Sequence, residues 1–182
     1  QFLDKHMNIS LSNVPETVTN HKKVKRILVL GDFTKHQTDL MLKTLEALVK
    51  KFRFRAEYTL KPHPVCAIDI LDYPLLKGAQ TNKRLQDIVV DFDLVFSSNV
   101  TSASLDCFLM HKKVIVFLDG TDLNSSPLRG VAGVKFISNA EELYVAIETA
   151  EEVIETSRVN DFFWIDSEMS KWKKLISKLI RP

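Results

Sequence analysis

The sequence predicts an α/β protein with a doubly wound, mostly parallel, Rossmann-like sheet of five to six strands. Short apolar runs alternate with helical patterns from Val24 to the C-terminus, and this alternation is typical of β-α-β units. One run, Val114–Leu118, has five consecutive apolar residues, as expected of a central parallel strand that is covered on both faces. The chain has 182 residues and is 45% hydrophobic, which is enough apolar material for the core of one domain.

The chain divides into an arm and a folded domain. Residues 1–21 are polar and show no sustained hydrophobic period. Because the first residue is Gln1 and not Met, we expect this arm to be a linker that arrives from a preceding domain of a longer protein. Residues 22–182 are predicted to form the folded domain.

The first part of the domain shows a strand, a helix and a second strand. The first strand is predicted over Val24–Leu30. Thr34 and Gln37 have the spacing of a capping box, which opens a helix that runs to about Lys51. Apolar and polar residues then alternate over Phe52–Leu60, and this period of two predicts a strand with one wetter face.

The middle of the domain is less regular. A short helix near Ala67–Leu71 and a small strand near Leu75 are predicted, followed by a helix around Leu85–Val89. Leu94–Phe96 is predicted to be a strand, and the helix after it is expected to end at about Met110.

The second half repeats the alternation. A glycine-bearing loop over 119–133 precedes a strand predicted over Val134–Ile137. Ser138 and Glu141 have capping-box spacing, which predicts a helix through about Glu155.

The last element is an amphipathic helix predicted over Ser167–Ile180. Its apolar side chains recur at helical spacing on one face. We expect these side chains and Trp164 to pack into the core. The apolar face comprises Met169, Trp172, Leu175, Ile176 and Leu179.

Composition excludes several classes of protein. A formal net charge of +2 with 26% charged residues gives no case for a nucleic-acid surface. No apolar stretch approaches the ~20 residues that a membrane span needs, and no signal peptide is recognisable. We therefore expect a cytoplasmic protein without a transmembrane segment, although peripheral association with the inner face of the membrane stays open. Cys66 and Cys107 are expected to be reduced and buried, and no residues have the spacing or clustering of metal ligands.

Two segments carry the most informative chemistry, and each directly follows a predicted strand. The first is Lys61–Pro64 (Lys-Pro-His-Pro) and the second is Ser97–Ser102 (Ser-Ser-Asn-Val-Thr-Ser). Ligands of parallel α/β sheets bind just beyond the carboxyl ends of the strands. Both segments are therefore expected to face one crevice.

The second segment is suited to binding phosphate. A helix N-terminus offers unpaired N–H groups and a partial positive charge, and hydroxyls add further donors. Simple helix capping is the alternative explanation, but capping needs one hydroxyl residue and the segment has four. The candidate ligands are Ser97, Ser98, Asn99, Thr101 and Ser102.

The first segment presents His63 between two prolines, which fix the local backbone and so hold the imidazole in one direction. The ring could donate to a phosphate or to a leaving nucleotide, and Lys61 favours an anion site there. The alternative is a turn histidine that is satisfied by a neighbouring carbonyl group.

Further candidates follow the other strands. Gly31, Phe33 and Thr34 lie in the turn after the first strand, although this turn lacks the three-glycine dinucleotide fingerprint. Asp106 could reach a ribose hydroxyl pair, or it could be a solvated charge on its helix. Arg129 could clamp a phosphate with two hydrogen bonds, or it could be an ordinary surface arginine.

The order of these motifs resembles a known architecture. Lys-Pro-His-Pro is followed by Asp-x-Asp-Leu-Val-Phe-Ser-Ser, then Thr-Ser-x-Ser-Leu-Asp, then Val-Ile-Val-Phe-Leu. This order resembles the C-terminal, nucleotide-sugar-binding half of GT-B glycosyltransferases over roughly residues 24–180. Specifically, it resembles bacterial surface- and capsule-polysaccharide transferases, and it is also similar to the sialyltransferase and polyglycerol-phosphate transferase families.

The resemblance implies roles for individual residues. His63 and Pro64 match the His-Pro motif, with His63 as the catalytic residue that stabilises charge on the leaving nucleotide. Ser97 and Ser98 match the serine motif around the donor phosphate. Asp106 stands where many GT-B proteins place an acidic ribose contact, although many of them have a Glu there after a glycine-rich turn that this chain lacks.

The implied function is donor binding in a glycosyltransferase of bacterial surface carbohydrate biosynthesis. The donor would be a CMP-, CDP- or UDP-linked sugar, and neither a metal nor another cofactor is expected. The acceptor site and catalytic base would lie in a missing N-terminal half, so this chain alone is expected to be inactive. One alternative is a non-catalytic nucleotide-binding or scaffolding α/β module. Another is half of a nucleotide-sugar epimerase of the same fold, which would be expected to show more acidic and basic groups at the cleft.

Overall fold

The computed structural model describes residues 24–66, 68–121, 123–149 and 168–180, so the predicted arm over 1–21 lies outside it. Its strands are β1 (Lys25–Leu30), β2 (Ala56–Lys61), β3 (Ala79–Gln80), β4 (Leu94–Ser98), β5 (Lys113–Phe117) and β6 (Lys135–Ile137). They form one all-parallel sheet in the order β3-β2-β1-β4-β5-β6.

Helices cover both faces of this sheet, so the predicted doubly wound α/β fold is confirmed. The helices of the described residues are α1 (Lys35–Phe52), α2 (Leu85–Ile88), α3 (Ala103–Leu109), α4 (Ala140–Glu148) and α5 (Ser170–Ile180), with 3-10 turns at Ile70–Asp72, Pro74–Leu76 and Val89–Asp91. α1 and α4 pack on one face of the sheet and bury one half of the core. α2 and α3 pack on the other face and bury the second half.

The central strand lies where the apolar run predicts it. Val114 to Phe117 of β5 are at most 4% exposed, between β4 and β6. Leu118 follows the strand and is half-buried. The side chains of β5 alternate between the two halves of the core, as expected of a strand that is covered on both faces.

The prediction that a strand begins at Phe52 is wrong. α1 continues through Phe52 and ends where Arg53 adopts a left-handed conformation, with φ of 50°. The Phe52 ring stacks on Tyr144 of α4 with ring centroids 4.4 Å apart. This tertiary contact favours helix where the local alternation indicates strand, so β2 begins only at Ala56.

The predictions for residues 65–82 are only approximate. The structure has 3-10 turns at Ile70–Asp72 and Pro74–Leu76 in place of a helix near Ala67–Leu71 and a strand near Leu75. Ala67 itself lies outside the described residues. The small strand of this region is β3, and its two residues pair with the end of β2. Proline is favoured at the first position of a helical turn, which explains why one turn begins at Pro74.

The second predicted capping box is shifted by one residue. Asn139 caps α4, and its Oδ1 accepts a hydrogen bond from the Glu142 N–H at 2.9 Å. The Glu142 carboxylate accepts in turn from the Ser138 N–H at 2.7 Å. α4 ends at Glu148, and the predicted continuation to Glu155 falls outside the described residues.

The last helix forms as predicted, but its apolar side chains do not pack into the core. Trp172 is 60% exposed, and Leu175, Ile176 and Leu179 are also exposed. Amphipathic spacing establishes that a helix has an apolar face but not what covers that face. Trp164, the second tryptophan, lies outside the described residues.

Candidate functional site

The order of the strands reverses at β1, which lies between β2 and β4. Leu30, the last residue of β1, is the register partner of Lys61 on one side and of Ser97 on the other. The two predicted segments therefore begin on either side of β1, roughly 10 Å apart, which is two strand spacings. In doubly wound sheets ligands bind at such a switch point.

The turn after β1 contains a buried carboxylate, Asp32, which the sequence analysis did not select. Asp32 is 1% exposed. Its Oδ1 accepts from the Thr34 N–H at 2.8 Å and from the Thr34 hydroxyl at 3.1 Å, and its own N–H donates to Thr38 Oγ1 at 2.9 Å. In the described part of the chain its second oxygen, Oδ2, is buried without a hydrogen-bond partner. The signal in the sequence is an acidic residue directly after the first strand of a Rossmann-like sheet.

Thr34 caps α1, as predicted, by accepting from the Gln37 N–H at 3.3 Å. The Thr34 N–H, which a capping box would pair with Gln37, donates to Asp32 Oδ1. The Gln37 Nε2 donates to Asp119 Oδ2 in the loop after β5, at 2.6 Å. This hydrogen bond joins the start of α1 to the loop after β5, which lies two strands from β1 in the sheet.

Gly31 lies where the turn after β1 meets the segment after β2. Its N–H donates to the Lys61 carbonyl at 3.0 Å. A Cβ at this position would lie 3.3 Å from both the His63 nitrogen and the Pro62 Cα, which is tighter than ordinary van der Waals contact. A glycine therefore lets the two backbones approach, and any side chain would press on the His63 segment.

The His63 ring lies beside the same turn. Its centroid is 6.5 Å from that of Phe33, with the rings edge to face. The Val65 N–H donates to His63 Nδ1 at 3.4 Å, and this contact assigns the proton of the neutral ring to Nε2. Nε2–H is then the donor that His63 can offer to a ligand.

A cavity of about 520 Å³ opens beside His63, a volume in the range of small-molecule sites. It is lined by Lys61–Cys66, Ile68, Gln80 and Asn82. The Lys61 ammonium donates to the Lys83 carbonyl at 2.7 Å, so it is drawn towards the β3 side of the sheet. No residue of 97–102 lines this cavity.

Ser97 and Ser98 belong to β4, which is longer than the predicted strand ending at Phe96. They are 0% and 2% exposed, and neither hydroxyl has a hydrogen-bond partner in the described part of the chain. Their side chains face opposite sides of the sheet because side chains alternate along a strand. Asn99 is also buried, and its Nδ2 donates to the Leu123 carbonyl at 3.2 Å.

The rest of the serine segment leads into α3. Thr101 Oγ1 accepts from the Ala103 N–H at 3.3 Å, and the Thr101 carbonyl accepts from the Ser104 hydroxyl at 2.7 Å. The Ser102 side chain is exposed and makes no capping hydrogen bond. Asp106 is exposed in the first turn. α3 has only seven residues, so its N-terminus does not by itself make a phosphate site.

Arg129 lies in the loop after β5, which meets the serine segment where the Leu123 carbonyl accepts from Asn99. The Arg129 side chain is exposed and donates to the Asn124 carbonyl at 3.3 Å. Leu128 beside it is fully buried and anchors the loop on the second half of the core. Asp122 of the same loop lies outside the described residues.

The structure therefore gathers most of the predicted residues into two groups on either side of β1. We call Gly31, Phe33, Lys61, His63 and Pro64 the histidine group. We call Ser97, Ser98, Asn99, Thr101 and Ser102 the serine group. One phosphate site shared by the two groups stays a prediction.

Other chemistry is limited in the described part of the chain. Cys66 and Cys107 are free and buried, as predicted. Burial raises the pKa of the Cys107 thiol to about 12, so this thiol does not supply a thiolate nucleophile near neutral pH. The described residues contain no group of three or more His, Cys, Asp or Glu side chains that could hold a metal ion. No described helix is both long and apolar enough to cross a membrane.

Comparison with known proteins gives little beyond the architecture. No protein-family model matches the chain, and no curated protein matches it in sequence. Among solved structures the chain is similar to KpsC of Thermosulfurimonas dismutans, a beta Kdo 2,7 transferase, with a TM-score of 0.48 and 16% identity. The match covers 91% of this chain and 57% of the KpsC chain, so this chain spans little more than half the length of that protein. Similarity at this level carries no inference about activity or substrate.

Proposed function

We propose that this domain binds a nucleotide sugar at the carboxyl edge of its sheet, as the donor half of a glycosyltransferase of bacterial surface carbohydrate biosynthesis. In the described part of the chain, four buried side-chain oxygens have no hydrogen-bond partner: Tyr58 Oη on β2, and Asp32 Oδ2, Ser97 Oγ and Ser98 Oγ. The last three support the proposal. They lie at the ends of β1 and β4, the two strands that flank the switch point. Since buried polar groups are nearly always hydrogen-bonded, a ligand at this edge would supply a partner for Asp32 and for one of the two serines, whose side chains face opposite sides of the sheet.

The types of these groups favour a nucleotide sugar over a bare phosphate. The serine hydroxyls can donate to phosphate oxygens, and a change of rotamer can re-aim them. The missing partner of Asp32 Oδ2 would be a hydroxyl or an amine, since a carboxylate oxygen accepts hydrogen bonds from such donors. A phosphate alone would bring like charge to Asp32, whereas a nucleotide sugar offers phosphate oxygens and hydroxyls together.

His63 is proposed to stabilise negative charge as it develops on the leaving nucleotide. Its Nε2–H is the available donor, and the two adjacent prolines hold the ring in place. A nucleotide sugar is an extended ligand, so it could contact the histidine group and the serine group at once. Transfer itself also needs an aligned acceptor, which we assign to a second half, so this chain alone should bind donor without transferring sugar.

The experiment is calorimetric titration of the 182-residue chain with CMP, CDP, UDP and GDP and their sugars. We expect one nucleotide family to bind, and His63→Asn and Ser98→Ala each to weaken that binding by about 10- to 150-fold, because a hydrogen bond to a charged group contributes about 1.5–3 kcal/mol. His111→Asn is the matched control. His111 is exposed beyond the far end of α3 and has φ of 59°, which asparagine tolerates.

Each outcome has a distinct meaning. If no nucleotide binds, or if both site variants bind as the wild type does, the proposal is wrong. If only Ser98→Ala weakens binding, the site belongs to the serine group and His63 is a turn histidine. Equal loss in His111→Asn would indicate a general effect on folding.

A further inference from the structure

The last helix, α5, has a concentration of charge that nucleotide binding does not use. Its eleven residues include four lysines and no acidic residue. The whole chain has a formal net charge of +2 and α5 contributes +4, so the remaining residues have a net charge of −2. The net positive charge of this chain therefore comes from one short helix. The lysines are Lys171, Lys173, Lys174 and Lys178.

The same helix has an uncovered apolar face. Trp172, Leu175, Ile176 and Leu179 have the three- and four-residue spacing that places side chains on one side of a helix, and Ile180 lies at the edge of this face. These five side chains are between 48% and 77% exposed. Contiguous apolar surface of this kind marks an interaction site in soluble proteins.

The lysines and the apolar side chains of α5 lie on separate parts of the helix surface. Lys174 lies opposite the apolar face, whereas Lys171 and Lys178 border it on one flank and Lys173 borders it on the other. Lysine stems that border an apolar face can lie along it while the ammonium groups reach outwards. Tryptophan, with an apolar ring system and one N–H donor, is favoured at the boundary between lipid and water.

We propose that α5 is a membrane-surface anchor that lies in the headgroup region of an anionic bilayer. Its apolar face would enter the boundary with the acyl chains, and its lysines would contact lipid phosphates. At 1.5 Å per residue the helix is about 16 Å long, far short of the ~30 Å hydrocarbon core, so it lies along the surface and does not cross it. This anchor is independent of the proposed nucleotide site.

Charge favours a lipid surface over a second copy of the helix. Pairing two apolar faces would bring the bordering lysines of both copies together, which like-charge repulsion opposes. An anionic bilayer instead provides negative charge and an apolar layer in the geometry that α5 presents. Each lysine near such a surface is expected to strengthen binding by about fivefold, and salt should weaken the effect by screening.

The test uses the 182-residue chain with Trp164→Phe, which leaves Trp172 as the single tryptophan. Co-sedimentation is measured with phosphatidylcholine vesicles that contain or lack phosphatidylglycerol. We expect at least tenfold stronger binding to the anionic vesicles, weakening at high salt, and a blue shift of Trp172 emission on binding. Equal binding to both vesicle types, no binding, or an unshifted emission would overturn the proposal.

Two sets of substitutions of equal charge locate the surface. K171Q/K173Q/K174Q/K178Q removes the lysines of α5, and K50Q/K77Q/K83Q/K135Q removes four exposed lysines elsewhere. We expect at least tenfold weaker vesicle binding in the first set and unchanged binding in the second. Equal loss in both sets would show a diffuse charge effect and contradict the anchor. A blue shift that grows with protein concentration without lipid would show that a second copy covers the helix, and this too would overturn it.

Discussion

The histidine group and the serine group both start at strand ends beside β1, yet His63 is only half-buried whereas Ser97 and Ser98 are almost completely buried. His63 lines a cavity of about 520 Å³, whereas Ser97 and Ser98 are at most 2% exposed. β4 is covered by helices on both faces. β2 has only the two-residue strand β3 beyond it, and it ends in prolines that cannot extend the ladder. The position of a strand end in the sheet therefore decides whether its polar residues meet solvent.

The two strand ends are held in place by different contacts. Ser97 and Ser98 are fixed by the packing of β4, and their hydroxyls have no partner in the described part of the chain. The histidine group is held by a close backbone contact at Gly31 and by the exposed ring of Phe33. The polar side chains at the end of β4 are therefore held by burial, whereas His63 is held by its flanking prolines and by the contact with Gly31.

The largest expected effect is on the free energy of unfolding, which should fall much more on substitution of Phe96 than on substitution of Phe33. Phe96 directly precedes the serines, is fully buried and packs edge to face on Phe117 with ring centroids 6.2 Å apart. Phe96→Ala should lower the free energy of unfolding by about 3–5 kcal/mol, because it leaves a cavity in the core. Phe33→Ala, at a 56% exposed position, should cost less than about 0.5 kcal/mol. Urea unfolding measures both, and similar losses would contradict the contrast between the two groups.

The second prediction concerns the contact that joins the two turns. Gly31→Ala should cost about 1–3 kcal/mol, because the new Cβ overpacks against the Pro62 and His63 backbone. It should also shift the imidazole NMR signals of His63. Gly133→Ala is the matched control, since its φ of 84° makes it costly by about 1–2 kcal/mol although nothing lies within 4 Å of its Cβ. Unchanged His63 signals in Gly31→Ala would show that Gly31 does not position the histidine loop.

Most of the fold could be predicted from the sequence because apolar runs locate buried strands. The boundaries were wrong where contacts distant in sequence decide them, as at Phe52, whose ring stacks on Tyr144. β4 extends through Ser97 and Ser98, which an apolar pattern does not reveal.

The candidate site was only partly predictable. The strand-end segments were found from proline and hydroxyl content, whereas Asp32 was missed because its burial follows from the packing of the turn around it. The periodicity around Trp172 correctly predicted an apolar face. Which residues cover that face depends on the neighbouring elements, and the sequence of the helix does not contain this information. Local sequence thus locates strand ends, and the assembled sheet determines which of their residues are buried.

A third prediction concerns whether loss of the Ser98 hydroxyl raises or lowers the free energy of unfolding. Ser98→Ala removes a buried hydroxyl that has no partner in the described part of the chain, so it should leave the ligand-free protein as stable as before or raise its free energy of unfolding by about 1 kcal/mol. Ser104→Ala is the matched control, because the Ser104 hydroxyl is buried but donates to the Thr101 carbonyl at 2.7 Å. This control should lower stability by about 1 kcal/mol. A clear loss of stability in Ser98→Ala would show that its hydroxyl is satisfied within the free protein.

The smallest expected effect is at Asp39, which joins α1 to the 3-10 turns before β3 through Tyr73. Lys43 lies 2.6 Å from the Asp39 carboxylate, and the Tyr73 hydroxyl donates to it at 2.7 Å. These two hydrogen bonds, that of Lys43 first, hold the pKa of Asp39 below its ordinary value. A carboxyl whose pKa is lower in the folded state stabilises the protein above its unfolded pKa of about 3.9, and this contribution is lost as the pH falls through the folded pKa. Asp39→Asn should therefore be less stable than the wild type near neutral pH. The difference in the free energy of unfolding should be less than about 1 kcal/mol, because exposed ion pairs contribute little. In acid the two free energies should converge. Urea unfolding across this pH range tests the prediction, with the exposed Asp91→Asn as control, and a difference that persists in strong acid would mean that Asp39 acts through packing and not through charge.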